Sequence, residues 1–386
     1  MKKSKRVSSV APSLTLAITA KAKQMKAEGI DVIGFGSGEP DFDTPENIKQ
    51  AAIKAIQDGF TKYTPASGII ELKKAVAAKL KKDNNLDYEA SQVVISCGAK
   101  HTIYNIIQAI CDEGDEVLIP APYWLSYPEM VKLASGTPVI METKEEQEFK
   151  INPSILEKYI TDKTKVLILN SPSNPTGIVY SQEELQAIAD FMEDKDIYVI
   201  SDEIYEYITY EEKHVSIASL SDKLFEKTIV VNGHSKAYSM TGWRIGYMAG
   251  PKAIVAAVSS LQSHSTSNPT SIAQIAALEA LNGEMTEVEE MVVEFKKRRD
   301  YMVDRLNAMN GITCLKPKGA FYVFPNITGL NKGSSMEISE KLLNEANIAV
   351  VPGIAFGNDS HLRLSYATSL DLIEEGMNRL ENWING

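Results

Sequence analysis

Two cations eight residues apart carry the strongest chemical signal in this chain. The segment Val230-Val231-Asn232-Gly233-His234-Ser235-Lys236 runs from an apolar β-branched stretch into a polar loop that delivers one lysine, and Arg244 follows in Thr241-Gly242-Trp243-Arg244-Ile245-Gly246. A lysine at the end of a buried strand loses hydration, which lowers its pKa and makes its amine a usable nucleophile. An arginine is a natural fork for a phosphate. Together they point to a carbonyl cofactor held at one end as an imine and at the other by its phosphate. The bland reading of a lone lysine is a solvated surface group; the spacing and flanks here argue against it.

Other candidates follow apolar runs in the same way. Asp202 comes straight after Tyr198-Val199-Ile200-Ser201, where a carboxylate can face a protonated ring nitrogen, or simply cap the next helix. Asn174-Pro175-Thr176-Gly177 has the composition of a turn, whatever else Asn174 does. Ser96-Cys97-Gly98-Ala99-Lys100 leads from a strand into a helix expected to begin near His101, which sets the amides of Gly98, Ala99 and Lys100 where a phosphate binds. Arg363, inside Leu362-Arg363-Leu364-Ser365, is a cation in an otherwise apolar strand, costly unless paired and suited to a carboxylate. Lys100 at a helix start is disfavoured by the helix dipole, which mildly favours a functional role over a surface one.

These blocks, with Gly36-Ser37-Gly38-Glu39-Pro40-Asp41-Phe42, Tyr63-Thr64, Ser171-Pro172-Ser173-Asn174, Asp202-Glu203-Ile204-Tyr205 and Arg363-Leu364-Ser365-Tyr366, stand in one order along some 330 residues. In that order they resemble the class I aminotransferases, fold-type-I enzymes that use pyridoxal 5′-phosphate, and most of all the bacterial aspartate aminotransferases. The resemblance implies that Lys236 holds the cofactor and then moves the α-proton, that Asp202 faces the pyridine nitrogen, and that Tyr205 and Asn174 bond the ring oxygen. It implies that Trp124 stacks on the ring and that Arg244 binds the phosphate. Tyr63 is expected to reach the phosphate from a second subunit, and the Asn268 loop to complete the neighbour's site, in a homodimer with shared sites.

Gly38 and Arg363 would then hold the substrate α-carboxylate. Lys100, helped by Thr15, would take a distal one, because no arginine precedes Ser267-Asn268-Pro269. Relatives carry a hydroxyl residue at the position of Gly233 or of Cys97, and this chain has neither. The expected reaction passes an amino group from an L-amino acid, L-aspartate first, to a 2-oxo acid such as 2-oxoglutarate in ping-pong fashion. Transamination of aromatic or aliphatic amino acids or of prephenate, and β-elimination of C–S bonds, keep the same core residues and remain alternatives. A dinucleotide-binding reading of Gly34-Phe35-Gly36-Ser37-Gly38 fails because Glu39 stands where a third glycine belongs. A regulator built on the same body would carry a basic DNA-binding module in front, whereas this chain starts its own fold by about residue 30.

The elements must bring these residues together. With 386 residues, two domains are the default, and 44% hydrophobic with 24% charged residues is ordinary for a globular protein. A net charge of −11 argues against nucleic acid, and no stretch approaches the ~20 apolar residues of a membrane helix. Three cysteines without metal-type spacing fit a reducing cytoplasm, and no metal is expected. The N-terminal lysines before an apolar stretch look like a secretory signal, but Ser8, Ser9, Pro12, Ser13, Thr15 and Thr19 interrupt it, so an amphipathic helix packed on the body is the better reading.

Val93-Val94-Ile95, Val117-Leu118-Ile119, Val166-Leu167-Ile168-Leu169, Tyr198-Val199-Ile200 and Ile229-Val230-Val231 read as buried strands. Helices are expected at 102–110 and 181–191, the latter with Ser181 and Glu184 as a capping box. This alternation predicts an α/β fold with a large domain built on a mostly parallel sheet between helices, its ligands at the carboxyl ends of the strands; the resemblance implies that this sheet has seven strands. Helices at 287–309, 336–345 and 369–383 and apolar runs at 321–324, 348–351 and 362–365 predict a smaller α+β domain. The expected division is 46–280 for the large domain and 281–386 for the small one, with 1–45 as an arm joined to the latter.

Overall fold

The computed structural model describes residues 3–386. Seven strands form the central sheet: β1 (Val93–Ser96), β2 (Glu116–Pro120), β3 (Thr137–Met141), β4 (Thr164–Asn170), β5 (Tyr198–Asp202), β6 (Thr228–Gly233) and β7 (Gly246–Ala249). Their order is β1-β7-β6-β5-β4-β2-β3, parallel throughout except for β7, which runs antiparallel to both β1 and β6. The expected mostly parallel, seven-stranded sheet is therefore present. Its strands are apolar on both faces because both are covered. Val166 and Ile168 pack with Ile103 and Ile106 of the helix Ala99–Ile110, while Leu167 and Leu169 pack with Leu185 and Ile188 of the helix Gln182–Met192. Each such fully buried aliphatic side chain contributes roughly 2 kcal/mol.

Two strands escaped the sequence reading. β3 carries Pro138, which cannot donate to a ladder, and it lies at the sheet edge, where proline is tolerated. β7 is the short run Gly-Tyr-Met-Ala, without a β-branched residue to mark it. The apolar run at 348–351 is divided. Ile348–Ala349 pairs in parallel with Ile33–Gly34, whereas Val351–Pro352 pairs antiparallel with Leu362–Ser365, which in turn pairs with Tyr322–Val323. The residues before 45 thus join the C-terminal part of the fold.

The helix Leu14–Ala27 starts at Ser13, whose hydroxyl accepts from the Leu16 amide, and buries Ala22 and Met25 against Val32, Leu343 and Ala349. That is the amphipathic packing expected of it. The capping box at Ser181 and Glu184 is formed, and a second, Ser334 with Glu337, starts the helix Ser335–Glu345. Among the described residues no helix is long and apolar enough to cross a membrane.

Candidate active site

The carboxyl ends of β4, β5 and β6 meet at a cavity of about 410 Å³. Asn170 and Asp202, the last residues of β4 and β5, are register partners, and the Asn170 amide donates to the Asp202 carbonyl at 3.0 Å. Asn170 Oδ1 in turn accepts from the Asn174 backbone amide at 2.9 Å, so the turn predicted from Asn-Pro-Thr-Gly is tied to the strand ends.

Asp202 is buried. Withdrawal from water raises its pKa to about 6, against the pull of the Tyr127 hydroxyl, which donates to Oδ2 at 2.6 Å, and of the Ile204 amide at 3.3 Å. Lys236, half-buried in the loop after β6, donates to the Gly38 carbonyl. Loss of hydration lowers its amine to about 8, with Arg363, Arg244 and Lys100 adding to the drop and Glu39 opposing it. Roughly a tenth of that amine is neutral at pH 7. Aromatic rings flank it, with the Tyr205 and Phe321 centroids each 5.8 Å from Nζ.

An anion cradle lies at one side. The helix Ala99–Ile110 begins at Ala99, two residues earlier than the sequence suggested, with Gly98 as its cap at φ +90°. A Cβ on Gly98 would stand 2.3 Å from Arg244 Nη2, so glycine is what lets the guanidinium lie against the helix start. Arg244 is fixed there by donating to the Thr241 carbonyl at 2.9 Å and the Cys97 carbonyl at 3.2 Å. Orphan amides and a cation at one helix N-terminus suit a phosphate.

Of the two positions without a hydroxyl, Gly233 has no room for a side chain. Gly233 and Gly246 are partners across β6 and β7, and a side chain on Gly233 would lie 2.9 Å from Gly246 Cα. Ser235 and Thr241, which also line the cavity, bring hydroxyls instead.

At the opposite side Arg363 is almost fully buried in the strand Leu362–Ser365. It donates to Asn174 Oδ1 at 3.1 Å and to the Gly36 carbonyl at 2.9 Å. The Tyr322 and Phe356 rings lie 4.5 and 5.0 Å from the guanidinium. Among the described residues no carboxylate pairs with it, and burial lowers its pKa. A buried guanidinium with no carboxylate partner suits an anionic ligand group.

Lys100 sits over the Trp124 ring at 4.9 Å, and burial lowers its pKa too. From the N-terminal helix, Thr15, Thr19 and Lys23 share one face at i, i+4 and i+8 and line the same cavity. The cavity is thus lined by five cations (Lys23, Lys100, Lys236, Arg244, Arg363) and two carboxylates (Glu39, Asp202), in a chain whose net charge is −11.

Gly38, Ala99, Lys100, Trp124, Asn174, Asp202, Tyr205, Lys236, Arg244 and Arg363 all line this one cavity, with Gly98 directly behind Arg244. Tyr63 does not; it is 90% exposed and lies outside the lining. The sequence reading missed Tyr127, Asn170 and Tyr322.

Comparison with known proteins agrees with this geometry. Residues 30–380 match the family profile described as aminotransferase class I and II. An aspartate aminotransferase of Bacillus subtilis (strain 168) is 52% identical over 389 residues, covering 100% of this chain and 99% of its own. A probable aspartate/prephenate aminotransferase of Aquifex aeolicus (strain VF5) is 49% identical, with 97% of each chain covered. The solved structure of the Thermus thermophilus aspartate aminotransferase with maleate superposes with a TM-score of 0.96 at 43% identity, covering 99% of both chains. A full-length match at this identity, on a cavity where lysine, carboxylate and arginine converge, leaves one conclusion: the chain belongs to the class I and II aminotransferase family and is an aminotransferase.

Proposed function

We propose that the protein transfers the amino group of L-aspartate to 2-oxoglutarate, in two alternating half-reactions at the cavity described above. The observation that carries this reading is the surplus of cations there. Arg244 at the helix start answers a phosphate, and Arg363 answers an α-carboxylate. Lys100 and Lys23 are left without a carboxylate partner among the described residues and call for a second acidic group. A dicarboxylic amino acid meets that need, and an aromatic or aliphatic one does not. The solved relative bound to maleate supports the same preference.

The cradle at Gly98 and Arg244, the buried carboxylate and the lysine amine fit pyridoxal 5′-phosphate. When bound, this cofactor supplies a carbonyl carbon that receives the amino group and a ring that takes up electron density from the substrate. The amides of Gly98, Ala99 and Lys100 with Arg244 would hold its phosphate, and Trp124 would cover its ring. Asp202 would offer its carboxylate to the ring nitrogen, with Tyr127 keeping that carboxylate ionised and aimed. Tyr205 and Asn174 would donate to the ring oxygen.

Lys236, deprotonated in useful amount because it is desolvated, is the amine that would hold the cofactor at its carbonyl carbon. Free of the cofactor, the same amine would act as the base that takes the substrate α-proton and gives it back. Arg363 and the backbone at Gly38 hold the α-carboxylate, fixing which bond to the α-carbon is broken. Tyr63, whose side chain is exposed, would serve the site of a second copy in a homodimer. We also infer a division into 46–280 and 281–386 with the arm 1–45. The three free cysteines favour a cytoplasmic setting.

The test is the visible spectrum of protein purified with pyridoxal 5′-phosphate, before and after L-aspartate. A yellow band that bleaches with aspartate and returns with 2-oxoglutarate is expected. A band that ignores aspartate but answers to an aromatic amino acid would overturn the role given to Lys100 and Lys23.

A further inference from the structure

We propose that Tyr322 is a positioning residue of this site: its hydroxyl donates to Tyr205 and thereby sets how strongly Tyr205 donates to the ring oxygen of the bound cofactor. Tyr322 lies in the strand Tyr322–Val323 of the C-terminal part, is fully buried, and lines the cavity. Its hydroxyl is 2.9 Å from that of Tyr205, and this is its one hydrogen-bond partner among the described residues. A buried hydroxyl must bond to something, and this one is committed to the site rather than to the fold.

The direction of the bond follows from proton counting. A phenol has one proton and accepts through its oxygen. If Tyr205 spends its proton on a ligand oxygen, its own oxygen is left as an acceptor, and Tyr322 supplies the proton for it. Donation into Tyr205 polarises its O–H and strengthens the outward bond.

Two further contacts favour this arrangement. The Arg363 guanidinium lies over the Tyr322 ring at 4.5 Å, which draws electron density from the phenol and makes it a better donor. The same guanidinium fixes Asn174 through Oδ1, leaving the Asn174 NH₂ as a second donor for the ring oxygen. Gly38 closes the arrangement, since a Cβ there would press on the Tyr322 hydroxyl at 3.2 Å. The inference rests on the cofactor reading above.

The experiment is a pH titration of the visible band of the holoenzyme in the wild type, Tyr322→Phe, Tyr205→Phe and the double variant. Tyr322→Phe keeps the ring and its contact with Arg363 and removes only the hydroxyl. Weaker donation to the ring oxygen disfavours the form that has lost its proton, so the midpoint of the colour change should rise by about half a unit to one unit. Tyr205→Phe should raise it further. The double variant should match Tyr205→Phe alone, because Tyr322 acts only through Tyr205.

A wild-type band whose midpoint ignores Tyr322→Phe overturns the relay while leaving the cofactor reading standing. So does a double variant in which the two shifts simply add. Absence of any band in the wild type overturns the cofactor reading and the relay with it.

Discussion

Replacing Asp202 by asparagine should make the cofactor-free protein more stable at neutral pH while it disables the enzyme. Burial raises the Asp202 carboxyl from its ordinary 3.8 to about 6. At about 1.36 kcal/mol per unit, keeping that carboxylate ionised in the folded state costs about 3 kcal/mol. The sign follows from proton binding. Below pH 3.8 the group is protonated in both states and costs nothing. Between 3.8 and 6 the unfolded chain ionises it and the folded chain does not, so stability falls as pH rises, and above 6 the full cost is present.

Asparagine carries no charge and is nearly isosteric. Its Oδ1 keeps the Ile204 amide, and its NH₂ can face Tyr127, whose hydroxyl accepts as readily as it donates. The raised value already contains the pull of the Tyr127 bond, so the expected gain is the full cost, about 3 kcal/mol. Urea unfolding of the cofactor-free protein, followed through the fluorescence of Trp124, Trp243 and Trp383, measures it. The gain should be small at pH 4 and complete by pH 7. Equal effects at both pH values, or a net loss at pH 7, would refute the reasoning.

Removing the hydroxyl instead, in Tyr127→Phe, should move the acidic limb of the pH–rate profile upward by about one to two units, since a hydrogen bond to a charged group is worth about 1.5–3 kcal/mol; an unmoved limb contradicts the Tyr127–Asp202 link. Gly98→Ala should weaken cofactor binding by at least about tenfold in a fluorescence titration, because the new Cβ displaces Arg244 and the backbone sits at a positive φ. Charge reversal at Lys100 or Lys23 should lower kcat/KM for aspartate by about tenfold or more and leave that for alanine nearly unchanged. Equal losses for both donors would remove these lysines from substrate selection. Lys236→Ala should leave no turnover and no yellow band, and activity near wild type would defeat the mechanism.

What was legible in the sequence was what a strand end makes legible. Asp202, Asn174 and Lys236 each follow an apolar run, and parallel strands buried on both faces deliver their carboxyl ends to one place. Tyr127 and Tyr322 were hidden for the opposite reason. Each is an aromatic residue on a regular element, Tyr127 on a helix and Tyr322 on an apolar strand, where the default reading is core, and only the hydroxyl distances of 2.6 and 2.9 Å reveal another task. The glycine pair Gly233 and Gly246 was invisible as a pair, because its meaning lies in the register of two antiparallel strands against a helix start. Tyr63 was legible only through resemblance; within one chain its exposed side chain has no place in the site.

The charged groups of the cavity also show why it needs its ligands. Asp202 is shifted upward, and Lys236 and Arg363 downward, and in all three the first cause is loss of water. They do little to neutralise one another: Lys236 is the smallest of the named influences on Asp202, and Asp202 is not among those on Lys236. Each group therefore sits in the protein at a cost that only a complementary charge relieves. A molecule bearing a cation at the Asp202 end and an anion at the Arg363 end would relieve both of those costs at once. The same desolvation makes every contact to such a ligand stronger than it would be in water. The stability forgone in Asp202 is thus available as binding energy when the site fills, and for that reason the Asp202→Asn gain should disappear once cofactor is bound.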